Sequence, residues 1–83
     1  MFADLMNDLI SVTAKDGRTF TNIPASVQNN MIFTERTDIP IQSGNTISRQ
    51  TPSGIETYIV EDPGFRSGGA GLPNTYQMRV RRS

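Results

Sequence analysis

The chain contains no cysteine and no histidine. Without cysteine there are no disulfides and no thiolate metal sites. Without histidine, the commonest general base and the commonest zinc ligand are missing. Lysine occurs once, at Lys15, next to Asp16-Gly17; a serine nucleophile would have to rely on that turn-side, exposed amine as its base. No apolar run approaches the roughly 20 residues of a membrane-spanning helix, and no basic stretch opens the N-terminus as in a secretory signal. These gaps lead to the expectation of a non-enzyme that holds no cofactor or metal and neither spans a membrane nor is secreted.

At 83 residues there is room for one domain, 1–83, with one small core. Such a chain buries only about 60–65% of its unfolded surface, and with disulfides and metals excluded, assembly with a partner is the remaining source of extra stability. Eight basic and eight acidic residues cancel, so no overall field steers the protein toward nucleic acid or an anionic surface. The halves differ, with five acids against three bases in residues 1–42 and three acids against five bases in 43–83. An opposed pair of faces suits end-to-end packing with copies or neighbours.

Phe2, Leu5, Met6 and Leu9 recur at the spacing of one helical face, which predicts a short helical arm over 1–9. Two turns of helix are unstable alone, so the arm must close the domain end or pack on a neighbouring subunit. Beyond it the pattern turns to alternation. Ile10 to Lys15 reads as a strand, and Asp16-Gly17 predicts a hairpin with a type I′ turn. A return strand over Arg18 to Asn22 is interrupted at Pro24 and resumes over 25–28. Further strands are expected at 31–35, 47–51, 55–61 and 75–82, with turns at Asn29-Asn30, Ser43-Gly44-Asn45 and Pro52-Ser53-Gly54. Short strands at this spacing predict an all-β fold, a small antiparallel barrel or sandwich of six to seven strands over 10–82. Val12, Phe20, Ile32, Ile47, Tyr58, Val60, Met78 and Val80 are the expected core, and Gln77, Arg79 and Arg81 the outer side of the last strand.

Three features invite a chemical reading. The Gly-rich loop over 62–74 lacks the lysine and hydroxyl residue that a phosphate cradle needs after its last glycine, since Leu72-Pro73 follows Gly71. It reads as a flexible connection, with Phe65, Arg66 and Leu72 as contacts that order on a partner. Asp62-Pro63-Gly64 reads as a turn in which the aspartate bonds its own backbone, proline fixes φ and glycine accepts positive φ. The adjacent acids Glu61 and Asp62 point to opposite strand faces and do not form a catalytic pair. Arg79, Arg81 and Arg82, with Arg49 and Arg66, could form a basic patch. A neutral total and an inward Tyr76 favour a protein interface or a solvated face over nucleic acid.

Gly44-Asn45-Thr46-Ile47 and Thr57-Tyr58-Ile59-Val60, within residues 40–80, resemble the recurring strand–turn–strand phrase of the small β-barrel head-closure and head–tail joining proteins of tailed phages and prophages. Asn45 stands where those proteins usually carry an acid. The resemblance implies a virion or host-cytoplasm location and a structural subunit that assembles with copies of itself in a ring, or with neighbouring particle proteins. Phe65, Arg66, Leu72, Arg79 and Arg81, with Phe2 and Leu5 of the arm, are the expected interface. The alternative is a free-standing accessory module that binds one host protein by an edge strand.

Overall fold

The structure, a computed structural model, describes residues 8–83. Seven strands follow one another: β1 (Asp8–Thr13), β2 (Thr19–Val27), β3 (Met31–Thr34), β4 (Thr46–Thr51), β5 (Gly54–Asp62), β6 (Phe65–Arg66) and β7 (Thr75–Arg82). They pair antiparallel in the order β3-β2-β1-β4-β5-β7, and β7 pairs back onto β3, closing a six-stranded barrel. The short β6 pairs with Thr75 and Tyr76 on the edge of β7 away from β3, where it continues the line of β5 beyond the turn at Gly64. Of the two predicted architectures, the barrel is the one formed.

Alternation along the strands fills the interior. Ile10, Val12, Ile23, Ala25, Ile32, Ile47, Tyr58, Val60, Tyr76, Met78 and Val80 are buried together. Of the expected core, Phe20 alone is only half-buried. It sits opposite Val12 near the β1–β2 hairpin, where the Arg18 guanidinium lies 5.9 Å from its ring centre. One barrel end is sealed by the β3–β4 connection, whose Ile39 and Ile41 are buried; the Tyr76 hydroxyl donates to the Ile39 carbonyl at 2.9 Å.

No helix occurs among the described residues. Phe2, Leu5 and Met6 of the expected arm lie outside them. Asp8 and Leu9, at the end of that pattern, are strand: they pair with Ala25 and Pro24. Strand alternation turns Ile10 inward and leaves Leu9 exposed, which a helical reading of the same residues cannot do.

Other local corrections have physical causes. At the β1–β2 turn only Gly17 has positive φ, and the Gly17 N–H donates to Ala14 O while the Ala14 N–H donates to Arg18 O. That is a type I turn followed by a glycine bulge, so Asp16 need not enter the left-handed region. Strand β2 also runs straight through Pro24. The Pro24 carbonyl accepts from the Thr34 hydroxyl, so its nitrogen faces β3, whose backbone pairs with β2 only at Ser26 and Val27. No ladder bond is lost there. Asn22, at φ 58°, takes up an extra residue where the β1–β2 register shifts. This bulge lets Phe20 and Ile23 both face inward.

Candidate interaction face and barrel-end ion cluster

The outer side of β7 carries Thr75, Gln77, Arg79 and Arg81, because Tyr76, Met78 and Val80 take the inner side. Gln77 lies opposite Phe33 and Arg79 opposite Met31 on β3, while Arg66 on β6 lies opposite Thr75. The chain after β6 folds back so that Leu72 and Pro73 border Phe33, Arg66, Thr75 and Gln77 around an apolar depression of about 200 Å³. Four of the expected interface residues, Arg66, Leu72, Arg79 and Arg81, therefore share one outer wall. Leu72 is 68% exposed.

Phe65, 52% exposed, faces the other side of β6 from Arg66. It sits opposite Tyr76 and packs edge-on against that ring, with centroids 5.6 Å apart, so part of its apolar surface is already used within the chain. The arginine row is not bare either, since Arg79 and Arg81 approach Glu61 at 3.6 and 3.9 Å. Glu61 is the extra residue where the β5–β7 register shifts between Val60 and Asp62.

The Gly-rich segment has more structure than a flexible connection. The Gly64 N–H donates to the Asp62 carboxylate at 2.9 Å with Gly64 at φ 58°, which is the turn expected from Asp62-Pro63-Gly64. Strand β6 follows. The Gly68 N–H donates to the Asn74 side chain and the Leu72 N–H to Gly69 O, while Ala70 and Gly71 reverse the chain at positive φ. Lys15 is exposed, as expected.

At the barrel end away from Ile39, the inner face ends in charge. Arg49 lies opposite Ile10 and Glu56, and its guanidinium reaches Glu56 at 2.6 Å and Asp8 at 3.4 Å. The Tyr58 hydroxyl donates to the same Glu56 oxygen at 2.7 Å. Arg82 approaches Glu56 at 3.7 Å and lies 5.6 Å from the Tyr58 ring centre. Arg49 and Arg82 thus belong to this cluster and not to the outer patch. The Arg49 hydrogen bond, then that of Tyr58, holds the Glu56 carboxyl below its ordinary range. The same bond raises Arg49, and burial followed by the Glu56 bond raises Tyr58.

Sequence reasoning missed this cluster, although a signal existed. Asp8, Arg49, Glu56 and Arg82 each stand two residues beyond an inner-facing apolar residue: Ile10, Ile47, Tyr58 and Val80. Each extends the inner face by one step, to the rim. With Asp8, Arg49, Glu56 and Arg82 partnered among themselves, the cluster closes this end of the core.

Among the described residues no group of three or more acids, histidines or cysteines is placed to hold a metal, and no helix is long and apolar enough to cross a membrane. Comparison of the chain with family models, curated proteins and solved structures finds no match to any of them.

Proposed function

We propose that this protein is a non-enzymatic assembly subunit, of the kind found in the neck or tail region of a phage or prophage particle, that joins copies of itself through the outer β3–β7–β6 wall. The observation that carries this reading is the convergence of Leu72 and the apolar depression with Arg66, Arg79 and Arg81 on one wall. Exposed apolar surface ringed by arginine is the composition of protein interfaces, where the planar guanidinium pairs with carboxylates. A rigid closed barrel suits such a role, because six strands have no long free edge and association is left to walls and loops.

The test is light scattering on size-exclusion fractions over a wide concentration range. The wild type is expected to gain mass with concentration. The Arg66→Ala/Leu72→Ala double variant should stay monomeric at the same concentrations, with its thermal midpoint nearly unchanged, since both side chains are surface groups worth roughly 0.5 kcal/mol or less to the fold. A wild type that stays monomeric throughout would overturn self-assembly.

A second reading, a module that binds one host protein by strand addition, is favoured by one feature of β6. The Gln77 N–H donates to Gly64 O, so the Phe65 peptide groups point away from β7. This edge is only two residues long, too little for strand addition to provide most of the affinity.

A further inference from the structure

Four charged side chains have no ion-pair partner among the described residues: Lys15, Glu35, Asp62 and Arg66. The Lys15 side chain runs past Gly44, and the Asp62 carboxylate accepts from the Gly64 N–H, which leaves Glu35 and Arg66. Strand β7 brings these two into one row. Arg66 on β6 stands opposite Thr75. On the other side of β7, Thr34 stands opposite Tyr76, so the next step along the β3 line sets Glu35 opposite Thr75. Thr34 is buried on the inner side and Glu35 only half-buried, as alternation to the outer side requires. The row Glu35, Thr75, Arg66 crosses three strand lines, so its charged ends stand about 10 Å apart at the usual strand spacing. The apolar depression with the exposed Leu72 adjoins its middle.

We infer that this wall packs on the same wall of a second copy about a two-fold axis through β7, with each Glu35 set against the other copy's Arg66. The inference rests on the assembly reading above and deepens it by identifying the surface on the other copy and the symmetry of the contact. A two-fold axis normal to the wall at its middle strand exchanges the β3 and β6 sides, so it lays the free cation of one copy over the free acid of the other. The wall as a whole is neutral, since Glu35, Glu61 and Asp62 balance Arg66, Arg79 and Arg81. Two such walls do not repel, and a net charge of zero offers no general attraction to an acidic protein or to nucleic acid. Leu72 beside the axis is covered by its counterpart from the other copy. The contact is isologous, so it closes at a dimer, and each dimer contains the Glu35–Arg66 crossing twice.

Charge reversal tests this. Glu35→Arg places two bases at each crossing and Arg66→Glu two acids, so either variant alone should associate at least tenfold more weakly than wild type. The double variant Glu35→Arg/Arg66→Glu exchanges the ends of the row and should regain the wild-type dimer. An equimolar mixture of the two single variants should also form a dimer, because every crossing then joins opposite charges. If a reversal lowers the thermal midpoint of the monomer, Glu35→Gln and Arg66→Gln replace it, and each should weaken association about threefold or more. If either reversal leaves association at the wild-type level, or if the double variant or the mixture stays monomeric, the crossing is overturned. Self-assembly then still stands on the response of the Arg66→Ala/Leu72→Ala variant. A wild type that grows past a dimer overturns the two-fold axis and leaves self-assembly intact. A wild type monomeric at every concentration overturns the assembly reading and this inference together.

Discussion

Arg49 enters the barrel from the inner face of β4, so a guanidinium sits where another isoleucine would otherwise close the core. Two carboxylates and a tyrosine hydroxyl surround it, yet its Nε–H is buried without a hydrogen-bond partner among the described residues. Partnered charges at a core boundary contribute little net stability but are costly to leave half-paired. The sign of the pH dependence follows from Glu56. Its folded-state carboxyl lies below the ordinary 4.5, so the unfolded chain takes up protons first as the pH falls. The contribution is fully present above about pH 4.5 and is lost as the pH drops through the folded-state value. Thermal melts of wild type and Glu56→Gln should therefore differ by a constant amount near neutrality and converge below about pH 4.5. Asp16 and Asp38, also lowered by their arginine partners, titrate in both proteins and cancel from the comparison. A gap that persists unchanged to pH 3 would show that the Glu56 charge does not matter to the fold.

The smaller elements depend on backbone geometry more than on side chains. At Gly64, φ is 58° and a Cβ would run into the Gln77 carbonyl. Gly64→Ala is therefore expected to destabilise by at least about 1 kcal/mol from the left-handed backbone alone, with the steric conflict adding to it. Gly69, which has open space around it and no positive φ, is the control, and Gly69→Ala should fall within about 0.5 kcal/mol of wild type in urea. Equal midpoints for the two variants would mean that the Asp62–Gly64 turn does not anchor β6. That turn was legible, since aspartate, proline and glycine each have a distinct local reason to be there. Strand β6 was not, because two residues carry no periodicity. The Asn22 bulge was hidden for a related reason: it breaks the alternation by which a strand is recognised, so the run from Phe20 to Ile23 looked like an interruption at Pro24. Arg79 and Arg81 were legible as outer residues from parity alone. The contact of Phe65 with Tyr76 was not legible, because it depends on a pairing that only the bend at Gly64 creates.

Closure belongs to the whole molecule, and no local pattern announces it. The strands and most of their faces follow from alternation and turn chemistry, but the choice between barrel and sandwich depends on whether β7 returns to β3. That pairing joins Met31–Thr34 to Tyr76–Arg79, more than 40 residues apart in sequence. Bonded to β3 on one side and to β5 on the other, β7 is the strand whose loss opens the ring, and its middle residues Met78 and Val80 are fully buried. A strand held on both sides cannot release its amides by fraying, whereas residues 69–74 have few bonds to break. Native-state hydrogen exchange should therefore show the β7 amides from Gln77 to Val80 exchanging only through global unfolding, with the full denaturant dependence of the stability, and the loop amides exchanging through local opening with almost none. The opposite outcome is specific. If the β7 and β3 amides exchange together, well before those of β1 and β4, the ring opens at the β3–β7 pairing while the rest stays folded. The rigid wall on which Leu72 and the arginines are displayed would then be a transient surface.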